Sequence, residues 1–305
     1  MDASSKRLIV IVGPTAVGKT AVAIEVARHF GTEIVSADSR QIFRELTIGT
    51  AKPHPSELKA IRHHFIDSHS ISDSYDAARF GEEARAVIGN LFDHHSTVVL
   101  VGGSGLYIQA VIEGFDEIPG VDPTVRASLM KAWEHHGIGS LQEKLKKLDP
   151  DVFNEIDQEN PHRLIRALEV VIGTGRSIST YRSRRKRVPG YTVVKIGLTL
   201  PRELLYQRID ERIDRMIAEG LFEEARALVT YKDKNALQTV GYQELFAFFE
   251  GAYDKEEAIR LLKRNTRRYA KRQLTWFKRD PEIVWLNPAN IADIISIAGG
   301  TTQPK

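Results

Sequence analysis

Residues 13–20 combine residue types and spacing that can hold a phosphate group. They read GPTAVGKT, which fits the pattern G-x-x-x-x-G-K-T. In this pattern backbone N–H groups surround a phosphate at a helix N-terminus, with a lysine ammonium and a hydroxyl at the rim. The alternative, a glycine turn that matches by chance, does not explain the strand and helix patterns on either side. We therefore predict a phosphate-binding loop made of Gly13, Pro14, Thr15, Ala16, Val17, Gly18, Lys19 and Thr20.

The elements that position this loop are a strand and a helix. Residues 8–12 are all branched and apolar, which is typical of a strand buried on both faces of a parallel sheet. The apolar spacing after Lys19 is that of a helix packing on this strand. Further strands are predicted at 33–37, 97–101, 192–200 and 282–286. This alternation with helical segments predicts an α/β fold with a P-loop NTPase-like parallel sheet at its core.

Asp38 follows the second predicted strand directly. In α/β sheets the carboxyl ends of the strands face the ligand crevice, so we expect Asp38 to lie across from the phosphate loop. On position alone, a functional carboxylate and an aspartate that caps a turn are equally good interpretations.

Residues 97–101 run into Gly102, Gly103, Ser104 and Gly105, where a P-loop ATPase usually carries a carboxylate for magnesium and water. The missing carboxylate argues against an ATP-driven motor, and the missing N-K-x-D motif weakens a GTPase interpretation. The glycines indicate instead a backbone that a ligand or another segment approaches closely.

Between Gly114 and about Gly190 the α/β alternation gives way to helix-like stretches. We predict a helical insertion at 115–190 within an α/β core made of residues 1–114 and 191–305. Arg126 lies in the first turn of one predicted helix, and Arg163 and Arg166 lie on one face of another. Taken alone, a solvated helix surface is the simpler interpretation of these arginines.

Basic residues also cluster outside these helices. Residues 182–187 hold five positive charges, and the predicted helix at 256–279 carries nine Lys or Arg with aromatic residues between them. Such surfaces attract a nucleic-acid backbone, although a solvated loop and core packing are equally valid explanations. Arg208, Arg212 and Arg215 share one face of a predicted helix, so at least one is expected to reach the phosphate loop.

Composition sets the remaining limits. With 305 residues, of which 42% are apolar, the chain can bury one large core or two smaller ones. The absence of cysteine excludes disulfides, thiolate catalysis and cysteine-bound zinc. No signal-peptide pattern and no apolar run near the ~20 residues of a membrane span are present, so we expect a cytoplasmic protein without a membrane contact.

Taken together, the motifs resemble the bacterial tRNA dimethylallyltransferase family, also called tRNA isopentenyltransferases, and the resemblance covers nearly the whole chain. It is carried by GPTAVGKT at 13–20, SADSRQIF at 36–43, GTAKP at 49–53, HHFID at 63–67, VGGSGLY at 101–107, DPTVR at 122–126, HRLIRALEV at 162–170, VGYQE at 240–244 and RRYAKRQLTWF at 267–277. Two residues depart from the pattern: Ser104 stands where the family usually has threonine, and Arg40 where a methionine or small residue is common.

The resemblance implies transfer of a dimethylallyl group from dimethylallyl diphosphate to the N6 amine of the adenosine next to the tRNA anticodon. The phosphate loop then holds the diphosphate, with Mg²⁺ helped by the Thr20 hydroxyl. Asp38 is implied as general base, while Lys19 and Arg212 stabilise the departing diphosphate. Contacts to the tRNA anticodon stem-loop are implied for Asp38, Ser39, Arg40, Gln41, Ser104, Arg126, His162, Arg163, Leu164, Ile165 and Arg166. We expect a monomer.

Three alternatives stay open at this point. A P-loop kinase acting on a nucleotide or small molecule shares the same loop and core but needs ATP turnover. A basic RNA-binding protein with a remnant P-loop would catalyse nothing. A prenyltransferase that uses free AMP as acceptor is disfavoured by the helical insertion and the scattered basic residues, but it is the hardest to distinguish.

Overall fold

The computed structural model describes residues 6–182 and 189–300. Of the basic run at 182–187, only Arg182 is therefore described. The chain divides into two compact units, Met1–Gly114 with Val188–Lys305 and Phe115–Arg187, which we describe separately. Within the described part of the chain, no helix is both long and apolar enough for a membrane crossing.

The elements follow one another along the chain in an α/β order. The strands are β1 Arg7–Val12, β2 Ile34–Ser36, β3 His63–His64, β4 Thr97–Gly102, β5 Thr192–Leu198 and β6 Val284–Leu286. The α-helices are α1 Lys19–Phe30, α2 Pro55–Ala60, α3 Ala77–Leu91, α4 Gly105–Ile112, α5 Pro123–Leu148, α6 Pro150–Glu155, α7 Pro161–Thr174, α8 Arg202–Ala218, α9 Leu221–Ala227, α10 Tyr242–Phe249, α11 Lys255–Phe277 and α12 Ile291–Ala298.

A single parallel sheet organises the first unit. Its strand order is β3-β2-β4-β1-β5-β6, and each strand pairs in parallel with its neighbours. The predicted α/β class with a parallel sheet core is confirmed. The apolar residues of β1 are at most 1% exposed, because β4 and β5 flank this strand and helices cover the sheet.

The register of the sheet brings the predicted loops to one edge. Val12 at the end of β1 pairs with Gly102 of β4 on one side and Gly197 of β5 on the other. On the far side of β4, Ser36 of β2 pairs with Val101. The segments that follow β1, β2 and β4 therefore leave the same carboxyl edge as neighbours, as the topology of α/β sheets requires.

The second unit is helical and has a core of its own. It contains α5, α6, α7 and a short 3₁₀ helix at Ile178–Tyr181, and α5 breaks at Gly137, whose φ is 71°. The side chains of its core come from all three α-helices: Leu129, Leu141, Leu145, Val152, Leu164, Ile165, Ala167 and Leu168. A sheet is therefore not needed to bury the apolar faces of these helices.

Candidate active site

The phosphate loop leaves β1 at the centre of the sheet. Gly13 has φ 151°, and a Cβ at this position would lie 2.7 Å from the carbonyl oxygen of Leu198. Gly18, with φ 105°, is the N-cap of α1 and gives the helix no side-chain acceptor. Because the first N–H groups of a helix have no partner within it, this end of α1 is suited to an anion.

Lys19 lies at the start of α1 and turns back onto its own loop. Its Nζ donates hydrogen bonds to the carbonyl oxygens of Gly13 at 3.0 Å and Pro14 at 2.8 Å. Burial lowers the pKa of Lys19 to about 8; the nearby Asp38 opposes this shift, and Arg212 adds to it. A bound diphosphate would favour the charged form of this ammonium.

Asp38 lies just beyond the carboxyl end of β2. Its Oδ1 accepts hydrogen bonds from the backbone nitrogens of Arg40 at 2.9 Å and Gln41 at 3.2 Å. Asp38 also faces the cavity and its charge acts on Lys19, Arg212 and Tyr269. The two interpretations of Asp38 are thus compatible, since one carboxylate both fixes the turn and faces the cavity.

Three arginines of α8 supply further positive charge. Arg208, Arg212 and Arg215 all line the cavity, and Nη1 of Arg208 donates to the carbonyl oxygen of Val17 in the phosphate loop at 3.5 Å. Burial lowers the pKa of Arg212, and Asp38 opposes the shift. The opposite side of α8 is tied to α11, because Asp210 accepts two hydrogen bonds from Arg267. Both anchors hold the arginine face toward the cavity.

These groups surround a cavity of about 520 Å³, which is in the range of small-molecule sites. Not all members of the phosphate loop line it: Gly13, Pro14 and Val17 do not. Ser39 and Ser104 lie next to it and bind each other, since Oγ of Ser104 accepts from the backbone nitrogen of Ser39 at 3.1 Å. The predicted residues that line the cavity are Thr15, Ala16, Gly18, Lys19, Thr20, Asp38, Arg40, Gln41 and Arg212.

Two residues of α11, Tyr269 and Gln273, also line the cavity; Tyr269 is among the aromatic residues noted in the sequence of this helix, whereas Gln273 was missed. Gln273 is buried; its Oε1 accepts from the backbone nitrogen of Thr15 at 2.8 Å, and its Nε2 donates to the carbonyl oxygen of Gly103 at 3.0 Å. Burial, with Asp38 adding to the effect, raises the pKa of Tyr269 to about 12. Both residues belong to the motif at 267–277, and their spacing of four was the available signal.

The glycines at the end of β4 and just after it are approached by protein segments. A Cβ at Gly102 would collide with the backbone of Ala37, and one at Gly103 with the side chain of Gln273. A Cβ at Gly105 would collide with the indole of Trp276. The close approach predicted at this glycine-rich turn is thus explained by packing of the chain on itself.

A second missed residue, Glu224 of α9, fixes a loop of the cavity wall. Its Oε2 accepts from the backbone nitrogens of Thr47 at 3.0 Å and Ile48 at 2.8 Å, and its Oε1 from that of Gly49 at 2.8 Å. The hydroxyl of Tyr242 donates to Oε1 at 2.6 Å. The loop at 49–53, which follows directly in the chain, lines the cavity. No local sequence signal marks Glu224.

The remaining predicted tRNA contacts lie in the second unit. Arg126 and Arg166 both donate to Glu169, while His162 and Arg163 are exposed. Leu164 and Ile165 are fully buried in the core of this unit. Their side chains face the helical core because they occupy the apolar face of α7, so they are not available to RNA.

Within residues 6–182 and 189–300, no group of three or more His, Asp or Glu side chains is arranged to hold a metal ion. Thr20 and Asp38 nevertheless line the same cavity and offer oxygen donors.

Comparison with known proteins identifies the family. The sequence pattern of the IPP transferase family matches residues 41–280. The tRNA dimethylallyltransferase of Christiangramia forsetii is 52% identical over 295 residues, covering 95% of this chain and 98% of that protein. The tRNA dimethylallyltransferase of Cytophaga hutchinsonii is 48% identical over 303 residues, covering 99% of this chain and 100% of that protein.

Solved structures agree. The tRNA isopentenylpyrophosphate transferase of Bacillus halodurans is 38% identical and superposes with a TM-score of 0.72, covering 97% of this chain and 96% of that one. A eukaryotic dimethylallyltransferase described as acting on tRNA has a TM-score of 0.75 at 26% identity, covering 97% of this chain and 77% of that one. The resemblance found in the motifs is thereby confirmed, and this chain belongs to the IPP transferase family.

Proposed function

We propose that this protein is a tRNA dimethylallyltransferase. It transfers the dimethylallyl group of dimethylallyl diphosphate to the N6 amine of the adenosine on the 3′ side of the anticodon and releases diphosphate. One observation carries the proposal: a phosphate loop with Lys19 and the arginines of α8 shares a cavity with Asp38. A loop suited to anions and a carboxylate thus line one small space, which supports the proposal.

The phosphate loop supports departure of the leaving group. As the allylic C–O bond breaks, negative charge builds up on the diphosphate, and the Lys19 ammonium, the loop amides and Arg212 stabilise it. Lys19 and Arg212 both line the cavity and are partly buried, and this burial lowers the pKa of each. Preorganised donors in such a site usually give the largest contribution to catalysis.

Asp38 completes the reaction on the acceptor side. The N6 nitrogen forms a bond to the allylic carbon, and its proton passes to the carboxylate of Asp38. The hydrogen bonds from Arg40 and Gln41 both go to Oδ1, and Oδ2 accepts none from the described residues. A positioned base of this kind contributes about 10²–10⁴-fold to the rate.

Mg²⁺ is the cofactor that we propose, with Thr20 as its protein ligand. The donor set fits a magnesium ion that binds together with diphosphate, because this ion retains waters and takes few protein oxygens besides phosphate. When bound, it would supply positive charge that neutralises the diphosphate. Thr20 lines the cavity at the start of α1, and its hydroxyl oxygen would hold the ion.

The RNA partner must present its adenine outside the base stack. Turning a base outward costs a few kcal/mol, and least in a single-stranded loop such as that of the anticodon. We assign the contacts around this base to Asp38, Ser39, Arg40, Gln41 and Ser104. In the second unit, the exposed side chains of Arg126, His162, Arg163 and Arg166 are assigned to the stem-loop, and Leu164 and Ile165 support them from the core. We further propose a monomeric, cytoplasmic enzyme.

An assay with labelled dimethylallyl diphosphate, unmodified tRNA and Mg²⁺ tests the function. We expect label in the tRNA at the adenosine next to the anticodon. In one parallel reaction AMP replaces tRNA as the acceptor. In another, ATP replaces the allylic donor and candidate small molecules are offered as acceptors. A higher kcat/KM for prenylation of AMP than for prenylation of tRNA would contradict the proposed acceptor. ATP turnover without RNA alkylation would instead indicate a kinase.

A further inference from the structure

Two arginines of the second unit share one buried carboxylate. Nη1 of Arg126, in the first turn of α5, and Nη1 of Arg166, in α7, each lie 3.2 Å from Oε2 of Glu169. The side chain of Glu169 is 10% exposed, whereas those of Arg126 and Arg166 are 47% and 45% exposed. The carboxylate thus lies beneath the surface and holds both guanidinium groups at it.

This arrangement brings two positive charges unusually close together. Both Nη1 atoms touch the same oxygen, so the guanidinium groups are well within the Debye length of about 10 Å at 0.1 M salt. Without the carboxylate they would repel each other and move apart. With it, the three groups keep a net positive charge, and each planar guanidinium retains N–H donors that do not point at Glu169.

Stability alone is a poor explanation for such a cluster. Removing a carboxylate from water is costly, and apolar residues of similar size often stabilise a core equally well. By contrast, Glu155 and Arg182 of the same unit form an ordinary surface pair, with side chains 58% and 44% exposed. Pairs of that kind contribute ~0–1 kcal/mol.

We infer that Glu169 is a positioning residue that holds Arg126 and Arg166 together as a clamp for a phosphate of the tRNA backbone. This inference rests on the proposed function, because it takes tRNA as the partner. Glu169 does not itself contact RNA, since its negative charge would repel a phosphate. Its effect is to order two flexible side chains before binding, which lowers the entropy lost when RNA binds. Arg163 is exposed on the preceding turn of α7 and extends the same basic surface.

Glu169→Gln is the main test, because it keeps the shape of the side chain and removes its charge. We expect the KM for tRNA, and the Kd of a tRNA anticodon stem-loop measured directly, to rise by about tenfold. The kcat at saturating tRNA and the Kd for dimethylallyl diphosphate should stay within twofold. Glu155→Gln is the matched control, since it makes the same charge change in the same unit, and its Kd for the stem-loop should stay within twofold of wild type.

A second background separates positioning from general packing. In an Arg126→Ala/Arg166→Ala protein, adding Glu169→Gln should not weaken stem-loop binding further, because the groups that it positions are gone. An equal loss in both backgrounds, or an unchanged Kd in the folded single variant, would overturn the inference. Thermal unfolding shows whether each variant is folded. If Glu169→Gln does not fold, Glu169→Asp, which retains the charge, takes its place as the single variant. Direct binding keeps this test separate from the proposed function, which is tested by prenylation of tRNA by the wild type.

Discussion

Asp38 combines two tasks at the scale of a single residue, since its Oδ1 is used by the turn and the rest of the carboxylate faces the cavity. Asp38→Asn keeps an oxygen acceptor for the turn but removes the base. We expect kcat to fall by about 10²–10⁴-fold. The Kd for dimethylallyl diphosphate should not increase, because a negative charge near Lys19 and Arg212 is lost. Prenylation reactions stopped at fixed times measure kcat, and equilibrium binding measures the Kd. An unchanged kcat would remove Asp38 from the mechanism.

Lys19 gives the diphosphate site a pH dependence. Burial lowers its pKa to about 8, so the free enzyme loses the ammonium as pH rises through this value. A diphosphate binds the charged form better, and affinity for dimethylallyl diphosphate should therefore decrease above pH 8, by up to about tenfold per pH unit. Isothermal titration across this range measures it. Lys19→Arg, whose guanidinium stays charged, should give a flatter profile; identical profiles would contradict the assignment.

At the scale of elements, Glu224 of α9 anchors the loop before residue 50. Its Oε2 accepts hydrogen bonds from Thr47 and Ile48, and its Oε1 accepts them from Gly49 and Tyr242. In Glu224→Gln the amide N–H₂ must face one of these donor pairs. We expect a loss of about 1–3 kcal/mol in the free energy of unfolding and a higher KM for dimethylallyl diphosphate, measured by denaturant titration and steady-state kinetics.

The control for Glu224 is Tyr242→Phe, which removes one donor and leaves the three backbone hydrogen bonds in place. Its loss should be smaller, about 0.5–1.5 kcal/mol. Equal losses in the two variants would show that the backbone hydrogen bonds to Glu224 do not hold the loop.

Elements with a strong local pattern were predictable from the sequence. The branched apolar runs of β1, β4 and β5 and the phosphate loop follow from neighbouring residues. The short helices α9 and α10 were not predicted, since tertiary contacts rather than periodicity stabilise them. Glu224 binds backbone groups far away in the chain, so no spacing pattern identifies it. The spacing of Gln273 from Tyr269 puts both on one face of α11, but it does not reveal the hydrogen bond to Thr15. Leu164 and Ile165 are buried because they lie on the apolar face of α7. The family motif covers both faces of this helix and did not separate these residues from the basic ones.

At the scale of the whole molecule, the two substrates bind through different electrostatics. The described arginines of the second unit and Arg268, Lys271 and Arg272 of α11 are exposed, whereas Lys19 is partly buried and bonded to its own loop. Affinity for tRNA should therefore fall steeply between about 50 and 200 mM salt, because phosphate contacts release counterions. Affinity for dimethylallyl diphosphate should fall less. Binding titrations at several salt concentrations give both slopes, and equal slopes would contradict separate RNA and diphosphate surfaces.

The central claim is that one cavity couples departure of diphosphate to alkylation of an RNA base. The most direct measurement counts released diphosphate and prenylated adenosine in the same reaction of wild type and Asp38→Asn. We predict one diphosphate for each prenylated adenosine in wild type, no release without tRNA, and loss of both products together in the variant. Diphosphate release that continues without tRNA, or that persists in the variant without prenylated adenosine, would contradict this account.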